Sequence, residues 1–258
     1  MDPSTDIILK LVVILIVSIL SLRMRFIDFY GFIASLAIGV SVLFLGGWKL
    51  FILLLLFLTV GSLLTKVLNG GGGIRGWKNV VANGLWAALS ASLYGVTGDK
   101  SALIFYLGAL NSMFSDTLST EVGMYIGGRP RLIVKPWVET SKGLSGGVTV
   151  HGILGGITGA LIFAYLSSYL FNGSLDSRLT ASIAGAGILA NVLDSFLGAS
   201  IQGKYECSVC GRVVEDSLHC GEVARHLSGL KYIDNHKVNF ISSFVGGGLA
   251  VLLYTHIF

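Results

Sequence analysis

The chain has 258 residues, of which 53% are hydrophobic and 12% charged, and its formal net charge is +4. A soluble domain carries about 25% charged residues, so this chain has too little charge to cover a water-facing surface, and lipid must be its solvent. Its basic residues form no long run, which excludes a nucleic-acid binder. It also lacks the short alternating segments of a β-barrel.

Windows of about 18–22 apolar residues recur along the whole length, as bilayer-crossing helices require. The predicted fold is all-α: a polytopic helical bundle forming a single membrane domain over residues 1–258. About eight transmembrane helices are expected, at 7–22, 26–46, 48–65, 79–97, 101–126, 148–171, 180–203 and 238–257. Residues 1–6 lack the basic region and cleavage site of a signal peptide, so the first span is expected to be retained. Gly46, Gly47 and Trp48 alone separate the second and third segments. These two read either as two spans or as one re-entrant pair. The 35 glycines divide between helix contacts, where small residues permit close packing, and polar loops.

Lys and Arg set the orientation. Lys10, Lys49, Lys100 and Arg178 fall on one side of an eight-span alternation, and the other 14 of the 18 basic residues fall on the opposite side. That puts both termini outside and the long loops in the cytoplasm: 68–78, 127–149 and the cysteine-bearing 204–237. The expected location is a prokaryotic plasma membrane, with the chemistry at its cytoplasmic face.

The fifth span carries a polar stripe at helical spacing: Asn111, Ser112, Ser115, Asp116, Ser119 and Thr120. A carboxylate in mid-membrane costs about 3 kcal/mol, so Asp116 is expected to face a cavity, a partner or a metal. Glu121 lies about 140° further round the helix and does not share that face. The seventh span repeats the pattern with Asn191, Asp194, Ser195, Gly198 and Gln202. The eighth opens with Asn235, Asn239, Ser242, Ser243 and Gly246 on one face, and the fourth holds Asn79 and Asn83. Polar side chains also glue membrane helices together, so a structural role stands beside a catalytic one for each.

Two carboxylates on separate helices, with amide side chains, suit a hard divalent cation such as Mg²⁺, held by Asp116 and Asp194. Beside them lie Gly-rich basic loops at 70–78 and 127–149, the second carrying Arg129, Arg131, Lys135, Lys142, Gly146 and Gly147. Glycine lets backbone N–H groups approach phosphate oxygens, and Arg or Lys neutralises their charge. Together these features describe phosphoryl transfer, although the chain has no P-loop motif. Intramembrane carboxylates and glycine-broken helices also mark ion-coupled transporters, which is the alternative reading.

All three cysteines fall between 207 and 220. Cys207 and Cys210 have the knuckle spacing of a zinc site, and Cys220 with His219 or His226 completes four ligands. Adjacent His219 and Cys220 are not expected to reach one metal easily.

Residues 115–123 (SDTLSTEVG), 142–152 (KGLSGGVTVHG), 194–202 (DSFLGASIQ), 205–211 (YECSVCG) and 234–239 (DNHKVN) resemble, in order, the domain-of-unknown-function 92 family. That family includes transmembrane protein 19 and plant phytyl-phosphate kinase, and is related more distantly to phytol kinase, dolichol kinase and CDP-diacylglycerol synthase. The resemblance implies a membrane isoprenyl-phosphate kinase. Such an enzyme transfers a phosphoryl group from CTP, or another nucleoside triphosphate, to phytyl or geranylgeranyl/polyprenyl monophosphate and makes the diphosphate. On it, the acidic motif maps to Asp116 and Glu121, and the basic glycine loop to Arg129, Arg131, Lys135 and Lys142. Asn83, Asn191, Asp194 and Asn239 match further polar positions. The partners implied are a nucleotide, an isoprenyl lipid and the bilayer.

Overall fold

The computed structural model describes residues 2–68 and 73–256. Residues 69–72, part of the first glycine-rich loop, lie outside them. Among the described residues there are eight α-helices: α1 (Pro3–Arg23), α2 (Phe29–Val40), α3 (Trp48–Leu68), α4 (Trp77–Thr97), α5 (Lys100–Ile126), α6 (Val150–Asn172), α7 (Ser177–Ser200) and α8 (Asn235–His256). α2 runs on into a π-helical stretch, Ser41–Gly46. Gly47, at φ +88°, then turns the chain directly into α3.

Helices α2, α5, α6 and α7 start where short polar residues cap them. Asp28 Oδ1 accepts from Gly31 N at 2.6 Å, Asp99 Oδ1 from Ser101 N at 2.9 Å, Thr149 Oγ1 from Gly152 N at 3.0 Å and Asp176 Oδ1 from Leu179 N at 3.1 Å. Among the described residues, seven helical segments are long and apolar enough to cross a membrane, and Phe29–Gly46 and Trp48–Leu68 each qualify on their own. The remaining helix is α5, whose polar stripe lowers its mean hydropathy. At 27 residues it is about 40 Å long, and it packs against α3, α4, α6, α7 and α8. The helix least suited to lipid thus sits in the middle of the bundle, while α1 packs chiefly on α2 at the edge.

The connections sort by end. At one end are the turns at Gly47, Gly98–Asp99 and Gly173–Asp176, along with both termini: Trp48 Nε1 donates to Asp6 at 3.2 Å and Arg178 Nε to the Tyr254 carbonyl at 2.9 Å. At the other end are all the long loops. Ile27 and Arg75 form a backbone bridge, and the 127–149 and 201–234 loops touch through Ser145 and Glu215. The alternation inferred from the basic residues therefore holds geometrically.

These loops fold into small antiparallel sheets. β1 (Arg131–Leu132), β2 (Lys135–Glu139) and β3 (Gly147–Val148) assemble in the order β2-β1-β3, with Leu132 opposite both Lys135 and Gly147. β4 (Lys204–Glu206), β5 (Val213–Val214) and β8 (Arg225–Ser228) assemble as β5-β4-β8, and β6 (Leu218–His219) pairs with β7 (Glu222–Val223) as a hairpin.

Candidate functional site

A cavity of about 320 Å³ opens at the loop end of the bundle. α5 supplies Asp116, Ser119, Thr120 and Glu121; α7 supplies Asp194 and Ser195; α4 supplies Asn79 and Asn83; α8 supplies Asn235 and Asn239. Lys142 and the glycine loop Gly143–Thr149 roof it, and Arg75 and Glu215 stand at its edge.

The polar stripe of α5 divides in two. Its deeper half is glue: Asn111 Nδ2 donates to the Ile183 carbonyl at 2.9 Å and to the Ala160 carbonyl at 3.3 Å, and Ser115 Oγ donates to the Gly156 carbonyl at 2.9 Å. Its outer half lines the cavity. Asp116 and Asp194 border the same space and lie close enough for their charges to interact. Asp194 Oδ2 and Asn239 Oδ1, both buried cavity-wall acceptors, have no partner within hydrogen-bonding geometry among the described residues, although the Ser242 hydroxyl lies near Asp194. Asn191, three residues before Asp194 and expected at the site, does not line the cavity: it is buried against Gly156 of α6, with its Oδ1 unpartnered. Carboxylate and amide oxygens are the donor set that a hard cation takes, so Asp116, Asp194 and Asn239, which line the cavity, fit Mg²⁺.

Glu121 does point elsewhere on α5, as its spacing requires, yet the cavity wraps round the end of the helix and reaches it. Thr65 Oγ1 donates to Glu121 at 2.5 Å. Arg75 Nη1 donates to Ser62 at 2.9 Å. Burial pulls the Arg75 guanidinium below its ordinary range, and the neighbouring Glu121 charge opposes that pull.

Other polar groups are knitted together. Asn239 Nδ2 donates to Asn83 at 3.1 Å, and Ser145 Oγ to Asn235 at 3.3 Å. In the roof, Gly146 is at φ +81°, and a Cβ there would sit within 2.5 Å of Ala199 backbone atoms, so only glycine lets the loop press onto α7. Because helices alternate, α4, α6 and α8 all begin at this end, and their N-terminal residues line the cavity. Their positive dipole ends, with Arg75 and Lys142, share the lining with the carboxylates of Asp116, Glu121, Asp194 and Glu215, so groups of both signs face the same space.

Several expected phosphate ligands lie elsewhere. Arg129 is paired with Glu139 at the surface, 84% exposed, and Arg131 donates to the Pro136 carbonyl at 3.2 Å. Neither they nor Lys135 line the cavity, because the β1–β2 hairpin carries them outward from the helix ends. Gly146, Gly147 and Lys142 do line it, and Lys142 Nζ bonds the Met124 carbonyl at 3.1 Å. Sequence reasoning pointed to the 70–78 loop without singling out Arg75 in it, and missed Glu215 altogether. Both look like ordinary loop charges until the fold brings their loops over the cavity.

A second, smaller groove, about 80 Å³ and apolar, runs between α1, α2, α3 and α4, lined by Ile14, Ile38, Phe51, Leu54, Phe57 and Leu58 among others. It shares Arg75, Asn79 and Asn83 with the polar cavity, so the two meet there.

In the ribbon after α7, Cys207, Cys210, His219 and Cys220 converge, with their ligand atoms all within 4.8 Å of one another. His219 and Cys220 both reach the cluster, against the expectation from their adjacency. The turn joining β6 to β7 has Cys220 at φ +55° and Gly221 at φ +82°, a left-handed two-residue turn that swings the Cys220 side chain back beside His219. His226 stays out, bonded instead to the Gly229 carbonyl at 3.1 Å. Hydrogen bonding from His219 pulls the Cys207 thiol down to about 6, whereas burial holds Cys220 up at about 11.

Fold and site define a polytopic membrane protein with a polar, carboxylate-bearing cavity at one end of its bundle. A family profile described as "Integral membrane protein DUF92" matches residues 12–247, and the chain belongs to that family. It is 31% identical to an uncharacterized membrane protein of Methanocaldococcus jannaschii, over 98% of each chain. It is 28% identical to the protein PGR of Arabidopsis thaliana, over 100% of this chain and 99% of that one. An uncharacterized membrane protein of Synechocystis is 25% identical over 86% of this chain and 80% of its own. No solved structure gives a significant match.

Proposed function

We propose that this protein is an isoprenyl-phosphate kinase, moving the terminal phosphoryl group of CTP or another nucleoside triphosphate onto phytyl, geranylgeranyl or polyprenyl monophosphate. The observation that carries the reading is the junction of two unlike spaces at Arg75, Asn79 and Asn83. The polar cavity suits phosphates, and the apolar groove suits the first carbons of a lipid tail whose remainder stays in the bilayer. The family resemblance of residues 115–123 and 142–152 points to the same substrates.

Asp116 and Asp194, with Asn239, would hold Mg²⁺, which supplies charge neutralisation of the phosphates. The chain's own groups do the rest. Arg75, Lys142 and the N-termini of α4, α6 and α8 attract and orient the phosphates. Gly146 and Gly147 let the roof backbone come close to them. Burial between helices limits water, which would otherwise compete as phosphoryl acceptor. The 14-to-4 asymmetry of basic residues supports, on this reading, a site facing the cytoplasm, where nucleotide is available.

The test is to incubate purified protein, in lipid nanodiscs, with Mg²⁺, labelled CTP or ATP, and geranylgeranyl or phytyl monophosphate. The expected result is isoprenyl diphosphate and nucleoside diphosphate in equal amounts. Folded protein that leaves every nucleotide intact overturns the reading and returns the carboxylates to the transporter alternative.

A further inference from the structure

The ribbon between α7 and α8 lies outside the proposed chemistry, yet it contains a built ligand set that reaches the cavity. Its first half is a knuckle: Gly211 N donates to the Cys207 carbonyl at 2.9 Å, and Cys207 N to the Arg212 carbonyl at 2.9 Å. Its second half is the β6–β7 hairpin, whose left-handed tip brings up Cys220 beside His219. His219 Nδ1 lies 3.3 Å from Cys220 Sγ and 3.7 Å from Cys210 Sγ. Ligand atoms about 3.4–3.8 Å apart are what a tetrahedron with metal–sulfur bonds of about 2.3 Å and metal–nitrogen bonds of about 2.0 Å requires. All three thiols are free, and three soft thiolates with one imidazole select zinc over hard cations.

Between the two halves lies Glu215. Its carboxylate accepts from Ser145 N, in the roof of the cavity, at 2.5 Å. Lys204 of β4 donates to the carbonyl of the same residue, Ser145, at 3.1 Å. Burial pulls the Lys204 ammonium below its ordinary range, and the Glu215 charge opposes that pull. The ribbon's strands are two to four residues long, too short to fix this stretch unaided. A metal bound on both flanks of Glu215 would fix it.

We propose that Cys207, Cys210, His219 and Cys220 hold one structural Zn²⁺, and that the zinc-built ribbon positions Glu215 against Ser145 to set the glycine roof of the cavity. Four protein ligands leave the metal no open position, so its role is to order the ribbon. Glu215 acts through the roof and is a positioning residue. The inference concerns ribbon and roof, and its readouts involve no phosphoryl transfer, so it stands or falls separately from the kinase reading.

Purified protein should contain about one zinc per chain, reduced to background in Cys207→Ser and Cys210→Ser. Cobalt substituted for zinc should give the intense visible bands of a tetrahedral thiolate site. Chelator-stripped protein, with its helices intact by circular dichroism, should be cut by trypsin after Arg212, where the zinc form resists. Amide exchange in peptide 142–149 should quicken roughly tenfold or more on stripping, as expected for loss of a hydrogen bond to a charged acceptor. Glu215→Ala, which keeps all four ligands, should show the same quickening with full zinc content. Protein that carries no zinc, that carries iron, or that has a disulfide between two of these cysteines overturns the site. Unchanged exchange in both stripped protein and Glu215→Ala overturns the link to the roof.

Discussion

Helices α1 and α5 meet the bilayer in opposite ways. α1 is apolar nearly all round and lies at the edge, with Ile8, Ile16 and Leu20 among its outward side chains. α5 carries Asn, Ser, Asp and Glu along its length and is enclosed by five other helices. In water a polar face turns outward, but in lipid it must turn inward, because hydrocarbon offers no hydrogen bonds. The difference between the two helices teaches that in this protein polarity marks the interior, and that the interior serves two purposes. Asn111 and Ser115 bind helices together, while Asp116 and Asp194 leave oxygens facing an open cavity.

The largest effect that can sharpen this comparison is metal removal. Omitting Mg²⁺ should abolish diphosphate formation and adding it back should restore it, read by product chromatography, with no change in helix content or zinc content. Next comes the junction of cavity and groove. Arg75→Ala should raise the KM for the lipid phosphate by about tenfold or more, since a charge-assisted bond to phosphate contributes about 1.5–3 kcal/mol, and Arg75→Lys should recover part of the loss. Smaller still is the glue. Asn111→Leu removes two interhelical hydrogen bonds and should lower unfolding stability by about 1 kcal/mol, with Mg²⁺ affinity unchanged. At the bottom are Arg129→Ala and, on the outer face of α1, Ile16→Ala. Both should leave activity within about twofold and stability within about 0.5 kcal/mol. A large loss in either would break the distinction between inward polar and outward groups.

Much of this architecture was legible in the sequence, because hydropathy windows and basic-residue alternation are strong signals in lipid. Spans appeared within a few residues of the helices, and the α5, α7 and α8 stripes pointed to buried polar faces. Loop geometry was not legible. Arg129 and Arg131 looked like phosphate ligands because they follow the acidic helix closely, but a hairpin of two short strands carries them to the surface. Arg75 was signalled only through its glycine-rich loop, and Glu215 gave no signal, since what places it is contact between loops far apart in sequence. His219 and Cys220 looked too close together to serve one site, because spacing rules assume ordinary backbone and the tip of that hairpin is left-handed.

The central claim is that the Asp116–Asp194 cavity is where phosphoryl transfer occurs. Asp194→Asn tests it most directly, since it keeps the shape of the side chain and removes its charge. Single-turnover phosphorylation of geranylgeranyl monophosphate should be compared between the variant and the parent protein, both in nanodiscs and matched in helix content. The account predicts a rate lower by orders of magnitude in Asp194→Asn, with the lipid still bound. A variant that phosphorylates the lipid at the parent rate would contradict it.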